Sequence, residues 1–535
     1  MKAGVSVERL RVEKANKRLV LARKMVHSFH RMSKSLEGNG KGNGDRSNGL
    51  LQRPRKQATQ PSPEPSAVES EKNKVAVQMH NGVTLHGAPV HIERHHIAFE
   101  VFNPAAIPQL SEALDKFIIV LQGRTVYSGR AVISHVVDAG AKMVCEATLD
   151  EMHWTDLNQI LASQKDGQVM REFKSFLKDW QKFYKVLPEF KIVIADMQTL
   201  FTDLRLWLER VELGIQSLPV KERKEFQQKV TKEAGELFVP AFDELHEKLE
   251  AISGKIDEDL RPAHRIFAQR QLHPLILCSP FAHRACEKPL GYAGDYEIVN
   301  MIALNPYQGE TLFAKIVNLW FLSQWPSKAH RNRLSYLKER LEKETCRASA
   351  GGRKARIFNF ACGPAIEVQR YLADFQFPER AELTLADFNQ ETLNYAAKAV
   401  GTIKERLSLE TVIRFQKKSV YQILKENQTR LGEKQEYDFV YCAGLFDYLP
   451  DITCRQLMEI FYGWLAPDGL LVVTNVVDNK PFRHMLEFVL DWYLIYRDAE
   501  QSTAIIPEPI PDDARAIKMD PTGVNLFIEV RKPRE

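Results

Sequence analysis

The sequence is poor in the features that would place it at a glance. Its seven cysteines, Cys145, Cys278, Cys286, Cys346, Cys362, Cys442 and Cys454, contain no CxxC pair, which argues against both a zinc ribbon and a disulfide framework. Scattered thiols of this kind fit a reducing compartment, so the cytoplasm is the expected location. No apolar run approaches the ~18 residues of a membrane span, and the basic amino terminus lacks the apolar core of a signal peptide. A net charge of +5 over 535 residues leaves no dense basic stripe in the body of the chain, so specific nucleic-acid binding is not expected. Histidines cluster only at His91, His95 and His96, read here as one strand. Adjacent positions on a strand point to opposite faces, so a shared metal ion is not expected.

What is present changes character along the chain. Residues 1–34 carry ten Lys or Arg against Glu8 and Glu13, interleaved with Leu10, Leu19, Met25 and Phe29. That composition predicts a basic helical arm with at most a weak membrane-surface contact. Residues 35–73 turn to Gly, Asn, Ser and Pro and read as a disordered linker. Residues 74–149 are short apolar or alternating runs between turn residues such as Asn81-Gly82, which predicts a small antiparallel β-barrel. Residues 150–345 read as a helical domain, with apolar residues at three- and four-residue spacing at Phe173, Phe176, Leu177 and Trp180, at Leu200, Leu204, Trp207 and Leu208, and at Phe238, Phe242, Leu245 and Leu249. A glycine-containing loop, Lys288 to Glu297, interrupts these helices. Its two phenols and its acid, with Tyr292 and Asp295 foremost, are candidate substrate contacts, and Asp295 can also cap the helix that follows.

The stretch from Arg356 to Asp387 organises the remainder, residues 346–535. Ile357, Phe358 and Phe360 form a buried strand. Ala361, Cys362, Gly363, Pro364 and Ala365 turn the chain with side chains too small to block a ligand, a helix follows from Glu367, and Leu383 to Leu385 is a second strand. Asp387 falls where a doubly wound sheet places the carboxylate that accepts ribose hydroxyls. A dinucleotide site asks for three glycines against a pyrophosphate, whereas only Gly363 is a glycine here. S-adenosyl-L-methionine, with an adenosine to read and no phosphate to cradle, suits the turn better. Tyr437 to Ala443 reads as a central strand, Gly444 to Leu449 as the loop at its carboxyl end, Leu470 to Val477 as a buried strand and Leu526 to Val530 as the last one.

This order of elements resembles the class I S-adenosylmethionine-dependent methyltransferases, whose late strand runs antiparallel. The fold class expected is therefore α/β, a Rossmann-like seven-stranded methyltransferase domain preceded by a helical domain and a small barrel. The loop at Tyr292, with ACGPAIE, GLFDYLPD and Leu490 to Arg497, resembles the bacterial methyltransferases of extracellular-factor (3-hydroxypalmitic acid methyl ester) biosynthesis. The barrel resembles a PilZ domain but lacks that module's ligand motifs: Arg53, Arg55 and Lys56 have the wrong spacing, and Gly82 stands where an Asp or Asn is required. Binding of cyclic di-GMP is accordingly not expected.

The resemblance implies methyl transfer to the carboxyl group of a 3-hydroxy fatty acid, giving a diffusible quorum-sensing signal. It implies cofactor contacts at Ala361, Cys362 and Gly363 near the aminoacyl part, Asp387 at the ribose, Ser419 and Val420 at the adenine, and Ala443 and Gly444 at the methyl end. Usual members carry acids where this chain has Asn359 and Ser419, and Glu367 is the candidate replacement toward the cofactor amine. A carboxylate acceptor is already ionised at neutral pH and needs a cation or phenols rather than a base. Arg497 is the preferred partner, Arg333 the reserve, with Tyr448 and the Tyr292 loop beside them. The alternatives are a methyltransferase with another small-molecule acceptor and a non-catalytic signalling protein with a nucleotide-binding barrel.

Overall fold

The computed structural model describes residues 73–79, 83–102, 108–121, 124–138, 142–150, 153–154, 185–304, 306–429, 436–508 and 510–534. The basic arm, nearly all of the linker, the Asn81-Gly82 turn and the stripe from Phe173 to Trp180 lie outside the described residues. No described helix is long and apolar enough to cross a membrane.

Six strands, β1 (Lys74–Gln78), β2 (Thr84–Glu93), β3 (His96–Phe102), β4 (Ala113–Leu121), β5 (Arg124–Asp138) and β6 (Lys142–Leu149), close into an antiparallel barrel in the order β1-β2-β3-β6-β5-β4. Alternate residues such as Val75, Val77, Ile97, Phe99, Phe117 and Ile119 fill it, and Phe99 meets Phe117 edge to face at 5.3 Å. The histidine reading needs correcting. His91 and His96 lie on different strands, joined by a two-residue turn at Arg94-His95 with Glu93 opposite His96. No Gly or Asn marks that turn, so the sequence reads through it. His91 faces Glu93 at 3.3 Å and His96 faces Glu146 at 3.5 Å.

Among the described residues seven helices follow: α1 (Pro188–Gln216), α2 (Val220–Ser253), α3 (Arg261–Ile276), α4 (Pro280–Glu287), α5 (Tyr296–Leu304), α6 (Leu312–Ser323) and α7 (Trp325–Ser349). Their shared core gathers Phe201, Phe238, Phe242 and Trp320, and Trp320 is buried with its Nε1 donating to Asp243 Oδ1 at 2.8 Å. Leu208 is buried as its spacing predicts, whereas Trp207 is 50% exposed, because one residue earlier on a helix points about 100° away. Helix α7 runs through residues 345 and 346, so the helical layer continues without a break into the sheet.

The sheet comprises β7 (Ala355–Phe360), α8 (Ile366–Asp374), β8 (Ala381–Asp387), α9 (Gln390–Leu407), β9 (Val412–Lys417), α10 (Val420–Thr429), β10 (Tyr437–Cys442), α11 (Asp451–Gly463), β11 (Leu465–Val476), α12 (Ala499–Ala504), β12 (Arg515–Met519) and β13 (Asn525–Arg531). Strand order is β12-β13-β11-β10-β7-β8-β9. Strands β7 to β11 pair in parallel, and β13 is the late strand, antiparallel to β11. Successive strands move outward from β7 on one side and from β10 on the other. The crevice outside the carboxyl ends of these two strands is therefore the switch point at which such sheets bind ligands. Apolar clusters cover both faces of the sheet, which explains the near-continuous hydrophobic runs in its central strands.

The helical layer is tied to the carboxyl-terminal half by Glu250. Its carboxylate accepts from the backbone N–H of His484 at 3.0 Å and of Met485 at 2.8 Å and contacts His484 Nδ1 at 2.8 Å. Burial would raise the carboxyl, but His246 and His484 outweigh it and hold it at about 2. A carboxyl depressed in this way stabilises the fold above its ordinary value of 4.5 and loses that contribution as pH falls through about 2. Glu250→Ala is expected to cost about 3 kcal/mol at pH 7, and urea titrations at stepped pH should find the gap to the unaltered protein closing below that range.

Candidate functional site

The site begins where β7 ends. Ala361, Gly363 and Ala365 all adopt the left-handed conformation, with φ of 57°, 52° and 53°. Each of the two alanines pays roughly 1–2 kcal/mol for this conformation, which glycine adopts freely. The turn is pinned to the neighbouring strand: Cys362 N donates to Ala386 O at 3.0 Å and Gly363 N to Asp387 Oδ2 at 3.1 Å. The other carboxylate oxygen of Asp387 accepts from Asn389 N at 3.0 Å. Asp387 is thus buried, faces the turn, and is pushed up to about 6 by burial against the pull of the Asn389 and Gly363 N–H groups.

From this pair a cavity of about 200 Å³, counted as room for the centres of water molecules, extends under the helical layer. Near the strands its wall is polar, with Asp387, Glu367, Lys418 and Asp447; beneath the helices it is apolar, with Ile298, Ile302, Leu334, Leu337, Phe482 and Leu486. Arg333 and His330, one turn apart on α7, line it between other residues of that helix. Arg333 Nη2 donates to His330 Nδ1 at 3.0 Å, which puts the imidazole proton on Nε2. Burial, then the nearby Arg333 and Arg331, push His330 far below its ordinary value, so the ring is neutral. No described carboxylate pairs with Arg333 within 4 Å. Gly444 permits its approach: a Cβ there would lie 3.1 Å from both terminal guanidinium nitrogens.

Ten of the residues singled out from the sequence line this one cavity: Ala361, Cys362, Gly363, Glu367, Asp387, Val420, Ala443, Gly444, Tyr292 and Tyr448. Glu367 is buried, its Oε1 accepting from Asn359 Nδ2 at 3.1 Å and from Tyr441 OH at 2.9 Å, and burial raises its carboxyl. Tyr448 OH accepts from Trp492 Nε1 at 2.9 Å, while the Tyr292 ring meets Phe388 at 5.1 Å. Three others are placed elsewhere. Ser419 caps α10, its Oγ accepting from Gln422 N at 3.2 Å, and its neighbours Lys418 and Val420 reach the cavity instead. Asp295 is buried in a double contact with Arg284 Nε at 2.8 Å and caps α5 through Glu297 N and Ile298 N at 3.1 and 3.2 Å.

Arg497 is the largest correction. Its guanidinium is buried and donates to Phe446 O at 2.8 Å, Asn475 Oδ1 at 2.7 Å, Leu449 O at 2.6 Å and Asp451 Oδ1 at 2.7 Å, which leaves nothing to offer a substrate. The reserve, Arg333, lines the cavity. The sequence reading missed Gln109, His330, Phe388, Lys418 and Asp447, all of which line the cavity. For His330 a signal existed in its spacing from Arg333, three residues along one helix. Among the described residues no three His, Cys, Asp or Glu side chains converge in a way that could hold a metal ion. Arg497→Met is expected to lower stability by about 3 kcal/mol, since it strands buried carbonyl acceptors, as chemical denaturation would measure.

No family model matches the chain, and no curated protein matches it. Among solved structures it is similar to a possible exported protein from Bordetella parapertussis, at 17% identity over 47% of this chain and 86% of that one, with a TM-score of 0.37. It is also similar to the N-methyltransferase NodS from Bradyrhizobium japonicum, solved with S-adenosyl-L-homocysteine, at 15% identity over 45% and 98% of the two chains and a TM-score of 0.27. A third likeness is to magnesium protoporphyrin IX methyltransferase from Synechocystis, at 13% identity over 39% and 87% and a TM-score of 0.27. Scores this low fix no common fold, and the functional reading rests on the sheet and the site.

Proposed function

We propose that the protein is an S-adenosylmethionine-dependent O-methyltransferase that esterifies the carboxyl group of a 3-hydroxy fatty acid. The observation that carries this reading is the pair formed by the buried Asp387 carboxylate and the small-residue turn at Gly363. The pair stands at the switch point of the sheet and opens onto a cavity whose far end is apolar. The turn fits a nucleoside: a Cβ at Gly363 would meet nothing within 4 Å, so its face toward the cavity is open.

In this reading Asp387 accepts the ribose hydroxyls, Phe388 and Val420 flank the adenine, Glu367 faces the amine, and Ala443 and Gly444 border the methyl end. When bound, the cofactor would supply a sulfonium methyl for a carboxylate oxygen, the electron pair of the broken carbon–sulfur bond staying on sulfur. Arg333 holds the second carboxylate oxygen, and an unpaired guanidinium in a half-buried position suits a planar anion. The acyl chain lies along Ile298, Ile302, Leu334 and Leu486, and the helical layer keeps water from the displacement. Alignment of this kind supplies roughly 7 to 11 kcal/mol of the barrier, and no general base is needed because the acceptor carboxylate is already ionised. The reading also keeps a PilZ-like barrel without bound cyclic di-GMP, a cytoplasmic location, and a methyl ester product serving as a quorum-sensing signal.

Incubation with labelled S-adenosylmethionine and 3-hydroxyhexadecanoate is expected to give a labelled methyl ester, and a protein that binds the cofactor yet forms no ester would remove the acceptor assignment. Asp387 must be ionised to accept hydroxyl protons fully, so affinity for S-adenosyl-L-homocysteine is expected to fall as pH drops through about 6. Asp387→Asn should weaken that binding about tenfold to a hundredfold and flatten its pH profile, both measured by calorimetry.

A further inference from the structure

The barrel touches the site directly. Gln109, at the entry to β4, lines the same cavity as Phe281, Trp492 and Leu494, although it lies hundreds of residues from them in the chain. The turn that presents it is closed by its own hydrogen bonds: Gln109 N donates to Glu112 Oε2 at 2.9 Å, Glu112 N returns to Gln109 O at 3.1 Å, and Ser111 adopts φ of 62°. This turn is bolted to the cavity walls. The buried Ser111 hydroxyl accepts from Tyr493 N at 2.5 Å and donates to Tyr493 O at 2.9 Å, spanning both backbone groups of one residue. Ala113 N donates to Gly291 O at 2.5 Å, next to Tyr292, and Arg130 donates to Cys286 O at 3.2 Å and to Glu287 O. The segment so held also carries Trp492, bonded to Tyr448, and Ile495, whose N–H donates to Asp447 O at 2.7 Å. Two of the walls that enclose the cavity therefore keep their positions by docking on the barrel.

We propose that the barrel is a working part of the acceptor site, with Gln109 as a specificity residue that reads a hydroxyl on the acyl chain. The half-buried Gln109 amide makes no side-chain hydrogen bond to a described residue. An amide offers both a donor and an acceptor, and so complements a group that does the same. Against walls of Phe281, Trp492 and Leu494, a hydroxyl lacking this partner would be desolvated without compensation. The inference rests on the acceptor reading given above and adds to it the role of the amino-terminal barrel.

The test uses the full chain, saturated with S-adenosyl-L-homocysteine and titrated with 3-hydroxyhexadecanoate and with hexadecanoate, each followed by calorimetry. Gln109→Leu is expected to weaken the hydroxy acid about tenfold while leaving hexadecanoate and S-adenosyl-L-homocysteine unchanged. Ser111→Ala, which loosens the dock, is expected to weaken both acids and spare S-adenosyl-L-homocysteine; a thermal melt establishes that each variant is folded. Equal affinities for the hydroxy acid in the unaltered and Gln109→Leu proteins would overturn this inference alone. An unaltered protein that binds S-adenosyl-L-homocysteine but neither acid would overturn the acceptor reading and this inference together.

Discussion

The structure turns on one hydrogen bond between neighbouring strand ends, from Gly363 N to the carboxylate of Asp387. It holds a strained turn of small residues against the end of β8, and it keeps a buried acid facing a cavity rather than a cationic partner. Burying a carboxylate without a counter-ion is expensive, and two backbone N–H donors offset only part of the cost, which is why the group sits near 6. An arrangement that leaves an acid short of partners at a switch point is suited to a ligand that brings hydroxyl donors of its own.

Everything farther from the strands serves to roof that acid. Helix α7 contributes Leu334 and Leu337 of the apolar wall as well as the Arg333–His330 pair, and it continues into β7 through the short link at residues 350–354. Glu250 anchors the segment at residues 484–489 to α2, and the chain beyond it carries Trp492 to the cavity. The barrel then fixes Tyr493 through Ser111. Sheet, helical layer and barrel meet around one space, so the amino-terminal barrel is structurally part of the site rather than an appendage.

How much of this the sequence disclosed follows from how local each signal is. The βαβ unit, the turn at Gly363 and the position of Asp387 were legible because strand, turn and acid are adjacent in the chain and each obeys a short-range rule. The late antiparallel strand could be expected from the order of elements. Arg497 misled because its neighbours Trp492 and Leu494 do reach the cavity, whereas its own donors are consumed by the carbonyls of Phe446 and Leu449, some fifty residues earlier. The turn at Arg94-His95 left no trace because it uses no turn-forming residue. Gln109 could not be found at all, since nothing near it in sequence speaks of a cavity whose other walls come from residues between 281 and 525.

The most direct measurement of the central claim is a crystal structure of the protein soaked with S-adenosyl-L-homocysteine. The account predicts both ribose hydroxyls within hydrogen-bonding distance of Asp387, the adenine against Phe388, and the sulfur directed toward Arg333. Density for the nucleoside at any other place in the chain, or an Asp387 that keeps only its backbone partners with the ligand bound, would contradict it.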